Sequence, residues 1–172
     1  MGIFHSLKGA IVTGAKNVLL SKLVRKHPVI VKDIESNLLF GKHALITGGN
    51  SGIGYAIAKK MLESGATVTI LGRSKEKTER AAKELGCSYL IEDVSLTQQL
   101  ISDLLVFLKE HNVDILVNSA GVLDKEPWLE KTPDGFDKAM NTNLKAVYFL
   151  CQTLANDMIK KNIQGHILNI SS

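Results

Sequence analysis

The sequence predicts an α/β fold built on a doubly wound parallel sheet of about five strands. Three observations predict it. From residue 41 onward, apolar runs of strand length alternate with amphipathic stretches of helix length, the pattern of a parallel sheet with crossover helices. The first such unit is a strand, a Gly-rich turn and a helix over 43–63. The turn and cap residues fall at the joints between these stretches.

The elements follow in order. His43-Ala44-Leu45-Ile46 opens a strand over 43–47, and Ile53, Ile57 and Met61 place a helix over 53–63. Ser64-Gly65 stands where a helix C-terminus needs a left-handed residue, and Gly86 repeats this after a helix over 75–85. Strands are expected at 67–71 and 88–91. Ser95-Leu96-Thr97-Gln98 reads as a capping box for a helix over 96–110 carrying Leu100, Ile101, Leu104, Leu105 and Leu108. A strand at 113–118 follows. Thr132-Pro133 is an N-cap with proline at the first helical position, opening a long helix over 134–161. A fifth, buried strand is expected at 166–170.

At 172 residues and 45% hydrophobic, the chain fits one domain with a sizeable core. Its excess charge is confined. Residues 1–40 hold six basic and two acidic residues, whereas the remainder is balanced, so nothing supports a nucleic-acid face on the main domain. Residues 1–40 therefore read as a separate basic amphipathic extension, with Ile3, Phe4, Leu7 and Ile11 on one stripe and Val18, Leu19 and Leu23 on another. Its apolar runs are too short to span a bilayer. Packing on its own domain or a partner subunit is the favoured reading. The competing one is a helix lying on an anionic membrane surface. Met1-Gly2 with Ser6 fits the myristoylation pattern, a match too short to carry weight. Cys87 and Cys151 lack metal-type spacing and read as small hydrophobes in a reducing compartment, so the expected location is cytoplasmic. Five scattered histidines form no ligand pair, and no metal is expected.

The chemistry starts at Thr47-Gly48-Gly49-Asn50-Ser51-Gly52-Ile53-Gly54. Glycines let a backbone approach phosphates closely, and the following helix N-terminus supplies unpaired N–H groups to an anion. The spacing Gly48-x-x-x-Gly52-x-Gly54 resembles the short-chain dehydrogenase/reductase family, in its shorter single-domain branch with a Rossmann-type sheet. The extended branch spaces its glycines G-x-x-G-x-x-G, and Tyr55 stands where the last would fall. About 20 residues past the turn, an NAD site needs an acid for the ribose 2′-hydroxyl. Here the stretch is Leu71-Gly72-Arg73-Ser74-Lys75, and Arg73 would pair with a 2′-phosphate. NADP(H) is favoured over NAD(H); the competing reading leaves Arg73 a solvated loop residue.

The resemblance covers about 41–172 and implies further roles. It places Thr47, Gly48, Asn50, Ser51, Gly52, Ile53 and Gly54 in the phosphate turn, with Arg73 and Ser74 at the 2′ position. Asp93-Val94 would border the adenine, although Asp93 also suits the turn before Ser95. Asn118-Ser119-Ala120-Gly121 resembles the family's Asn-Asn-Ala-Gly: Asn118 ties neighbouring strands, while Ala120 and Gly121 run beside the cofactor ribose. Asn143 matches the Asn of the catalytic tetrad, with Asn141 as the competing position, and Asn is a poor helix former that needs a reason mid-helix. Asn169-Ile170-Ser171-Ser172 resembles the segment whose second Ser, Ser172, would hold the carbonyl oxygen receiving hydride.

The family's proton donor, a Tyr with a Lys four residues on, would follow this strand. Tyr55 and Lys59 have that spacing but sit in the phosphate-binding helix, as ordinary surface neighbours. The sequence is therefore expected to be a fragment, inactive by itself, of an oxidoreductase acting on a small carbonyl or alcohol substrate such as a 3-oxoacyl compound. A catalytically inactive dinucleotide-binding scaffold is the alternative. The full-length protein is expected to be a homodimer or homotetramer. The fifth strand would be an unprotected sheet edge.

Overall fold

A computed structural model describes residues 37–123 and 126–171. The expected extension, apart from 37–40, lies outside them, as does Ser172.

Strand β1 (His43–Thr47) leads to helix α1 (Gly52–Glu63), β2 (Thr67–Gly72), α2 (Lys75–Leu85) and β3 (Ser88–Ile91). Helix α3 (Thr97–Glu110) and β4 (Ile115–Asn118) follow, then a 3₁₀ turn at Trp128–Glu130. Helix α4 (Pro133–Met140), a π-helical segment (Asn141–Lys145) and α5 (Ala146–Lys160) lead to β5 (His166–Asn169). All pairings are parallel, in the order β3-β2-β1-β4-β5.

Strand alternation separates two cores. On one face Leu45 and Leu116 pack with Leu100, Leu104 and Leu108 of α3 and Leu150 and Leu154 of α5. On the other, Ala44, Ile46, Ile115 and Val117 meet Ala58 of α1 and Ala81 and Ala82 of α2. The alanines let α1 and α2 lie close to the sheet, whereas the leucines fill the wider gap under α3 and α5. Truncating a side chain as enclosed as Leu116 to Ala would cost about 2–5 kcal/mol.

Several joints behave as the sequence indicates. Gly65 and Gly86 adopt φ of 88° and 69° after α1 and α2. Thr132 caps α4, its Oγ1 accepting from the Gly135 N–H at 3.1 Å, with Pro133 next.

Three expectations need correction. Ser95 does not cap α3. Its hydroxyl and N–H both donate to Asp93 Oδ1, at 2.7 and 2.9 Å, and the N-cap position falls to Leu96 without a side-chain bond. A local turn around the Asp93 carboxylate has outcompeted the cap. The long helix expected at 134–161 is interrupted by the π-helical segment, which inserts a wider turn at Asn143.

The fifth strand, expected to be buried, is not: β5 forms an edge of the sheet, with β4 alone beside it, and all four of its residues are exposed. Among the described residues, no helix is long and apolar enough to cross a membrane.

Candidate functional site

The chain crosses from one half of the sheet to the other between β1 and β4. Beyond the C-terminal ends of the strands at such a switch point, an open α/β sheet leaves a crevice. Here it is a cleft of about 440 Å³.

Its floor is the turn after β1. Gly48 has a φ of 67°, and a Cβ there would lie 2.9 Å from Ala120 N and Cα. A Cβ on Gly54 would collide with the Gly48 carbonyl oxygen, so this glycine sets how closely α1 approaches the turn. Helix α1 has no acid in its first turn, and its N-cap Ser51 makes no side-chain cap bond. The positive end of the helix dipole and its first N–H groups thus remain available to an anion.

Thr47 and Asn118 shape this floor without lining it. Thr47 Oγ1 accepts from both the Ser119 and Ala120 N–H groups at 3.1 Å, fastening the β4 loop to β1. Asn118 Nδ2 donates to Asn169 Oδ1 at 2.9 Å and contacts Cys151 Sγ at 3.4 Å, joining β4 to β5 and α5. Both are almost fully buried.

Every other proposed cofactor residue lines the cleft itself: Gly48, Asn50, Ser51, Gly52, Ile53 and Gly54 from the turn, Arg73 and Ser74 after β2, Asp93 and Val94 after β3, and Ala120 and Gly121 after β4. Sequence reasoning missed Lys77, Glu92 and Thr142, which also line it. Lys77 reads as an exposed helix residue; it is exposed, but on the side facing Arg73's end of the cleft. Glu92 follows β3 directly. Burial, then the neighbouring Asp103 carboxylate, push its carboxyl above the usual range.

Asn143 borders an adjoining cavity of about 460 Å³, shared with Asn118, Gly121, Val122 and Ser171. Its side chain is committed to the β4 loop: Nδ2 donates to the Val122 carbonyl and Oδ1 accepts from the Val122 N–H, each at 2.9 Å. Tyr55 is elsewhere. Its hydroxyl donates to Glu84 Oε2 on α2 at 3.3 Å, and it lines neither cavity.

The lining fits a dinucleotide. A cradle whose glycine positions a Cβ would obstruct lies beside an uncompensated helix N-terminus, and a guanidinium stands at the rim after β2.

Comparison with known proteins agrees. A family model described as short chain dehydrogenase matches residues 42–172. A 3-oxoacyl-[acyl-carrier-protein] reductase of Chlamydia trachomatis is 36% identical over 144 residues, covering 80% of this chain and 58% of the relative. Gluconate 5-dehydrogenase of Gluconobacter oxydans is 34% identical, over 78% of this chain and 54% of its own. A metagenomic short-chain oxidoreductase solved in complex with NADP superposes with a TM-score of 0.72 at 35% identity, over 78% of this chain and 63% of that one. The chain thus spans somewhat more than half the length of the relatives it matches.

Proposed function

The chain belongs to the short-chain dehydrogenase family, and on that premise we propose that it forms the cofactor-binding part of an NADP(H)-dependent oxidoreductase acting on a carbonyl or alcohol. The observation that carries the coenzyme choice is Arg73: the first residue after β2 is a cation lining the cleft. A carboxylate at that place would repel a 2′-phosphate, whereas a guanidinium pairs with it through two parallel hydrogen bonds. The NADP in the metagenomic relative's structure is consistent with this reading.

When bound, the cofactor supplies hydride to a carbonyl carbon or takes it from an alcohol. The protein's own residues bind and orient. Gly48, Gly52 and Gly54 with the α1 N-terminus receive the pyrophosphate, Arg73 and Ser74 the 2′ end, and Asp93 and Val94 the adenine. Asp93 can serve while bracing its own turn, because Ser95 occupies only Oδ1. Thr47 and Asn118 hold the floor in place. Ser172 would hold the substrate oxygen, and Asn143 fixes the loop at Val122.

Similarity to both an oxoacyl reductase and a gluconate dehydrogenase supports a carbonyl/alcohol substrate class, with a 3-oxoacyl compound as one member. We place the enzyme in the cytoplasm. Exposed Leu144 of the π-helical segment, Tyr148 of α5 and Ile167 of β5 support assembly as a homodimer or homotetramer. Fluorescence titration of the protein with NADPH and with NADH tests the reading. Tighter binding of NADPH is expected, and failure to bind either coenzyme would reject it.

A further inference from the structure

One part-buried contact joins the phosphate turn to the arm that carries Arg73. Asn50, in the middle of the turn, donates from Nδ2 to Thr78 Oγ1 of α2 at 3.0 Å. Thr78 is fully buried, and its N–H bonds the Ser74 carbonyl in the first turn of α2. The contact passes over Gly72, the last residue of β2. A Cβ on Gly72 would lie 2.5 Å from Thr78 Oγ1 and 2.6 Å from Asn50 Nδ2, so the bond exists because that position has no side chain. Asn50, Gly72 and Arg73 all line the cleft, whereas Thr78 does not.

We infer that Thr78 is a positioning residue for cofactor binding, acting through Asn50 to fix the wall of the cleft between the phosphate turn and the Arg73 arm. The inference rests on the dinucleotide reading above. A turn tethered only at its two ends can shift relative to α2. The Asn50–Thr78 bond adds a third tether, on the side where the adenosine ribose would lie, and limits that shift before ligand arrives. The wall is common to phosphorylated and unphosphorylated coenzymes. Loss of the bond should therefore weaken both by the same factor, unlike loss of Arg73, which should separate them.

The test uses the full chain, with NADPH and NADH as probes in fluorescence or calorimetric titrations. Thr78→Val keeps the side-chain shape and removes the hydroxyl. It should raise Kd for both coenzymes roughly fivefold, the worth of one hydrogen bond. Thr78→Ser keeps the hydroxyl and should stay within about twofold of wild type. In an Asn50→Ala background, Thr78→Val should add no further loss, because the two residues act as a pair. Should the valine variant fail to fold by circular dichroism, Thr78→Ala replaces it, adding no bulk. A folded hydroxyl-free variant with wild-type affinity would overturn the inference while leaving the cofactor reading intact. So would a serine variant as weak as the valine one, or full additivity with Asn50→Ala. Wild-type protein that binds neither coenzyme would overturn both.

Discussion

The side-chain amide of Asn143 pairs with the main chain of Val122 as a second strand would, donating to its carbonyl and accepting from its N–H at 2.9 Å each. The pairing depends on the π-helical segment, which carries Asn143 within a widened turn between α4 and α5. A poor helix former is thereby placed where it fixes the loop that borders both cavities. Asn143→Ala should cost about 1 kcal/mol of stability, since the pair is exposed and water can replace part of it. Hydrogen exchange should show faster exchange at Val122, with β1 and β2 unchanged. Unaltered protection at Val122 would mean that the loop is held by other contacts.

Arg73 gives a sharper expectation. Arg73→Ala should weaken NADPH binding by roughly 1.5–3 kcal/mol, the range for a charge-assisted hydrogen bond, and leave NADH nearly unchanged. Titration of both coenzymes against the variant reads this directly. Equal losses for the two would remove Arg73 from the 2′ position and favour Lys77, the other cation on that side of the cleft.

Much of this was legible because its signals are local. The Gly-rich turn, the apolar run of Ala44, Leu45 and Ile46, and the Gly65 and Gly86 caps each act within a few residues. The alternation of strand-length and helix-length runs made the parallel sheet legible, but not the order β3-β2-β1-β4-β5, in which the connection from β3 to β4 passes over two strands. What escaped is long-range or competitive. Asn50 and Thr78 are 28 residues apart, and neither announces the other. Ser95 has the residue pattern of a cap, but the Asp93 carboxylate two residues away offers it a closer partner. The π-helical segment leaves the apolar periodicity intact on both sides, so helical spacing alone runs straight through it. Lys77 looks like a solvated helix residue because it is one; only the packing of α2 against the sheet turns it to the cleft.

His43 sets a pH dependence at the opposite end of β1. Its Nδ1 lies 2.8 Å from the Asn112 carbonyl and must donate, which leaves Nε2 to accept from the buried Thr69 hydroxyl, also at 2.8 Å. The neutral ring is fully satisfied. Burial, then the nearby His111, hold its pKa below 6.5, against the opposing pull of the Asn112 carbonyl and Asp114. Between that lowered value and 6.5 the unfolded chain binds more protons than the folded one. Stability should therefore fall as pH drops through 6.5 and level off once folded His43 is also charged. Asp114 does not blur this window. Burial raises its carboxyl, but the Lys42 ion pair and the His43 N–H outweigh that and hold it below 3.8. Glu92, raised above 4.5, acts in the opposite sense. The cleanest measurement is urea unfolding of wild type and His43→Gln between pH 5 and 7.5. The variant should show a flatter profile, and parallel profiles would assign the titration elsewhere.

The last expectation concerns turnover. Proton transfer to a substrate oxygen needs a donor within hydrogen-bond reach of it. The described residues offer no Tyr–Lys pair at either cavity. Tyr55 and Lys59 lie on α1, and the Tyr55 hydroxyl is directed at Glu84 on α2. The 172-residue chain should therefore bind NADPH yet reduce no ketone at a measurable rate, even with Ser172 present. Supplying a longer form with a Tyr-x-x-x-Lys after the fifth strand should restore activity without changing the NADPH Kd by more than a few-fold, because the residues proposed to hold the phosphates and the 2′ end already line the cleft. A homogeneous preparation of the present chain that turns over a ketone, and loses that activity in Tyr55→Phe, would instead make Tyr55 the donor. It would also require α1 and α2 to part during the reaction, so that the hydroxyl now bonded to Glu84 could reach the cleft.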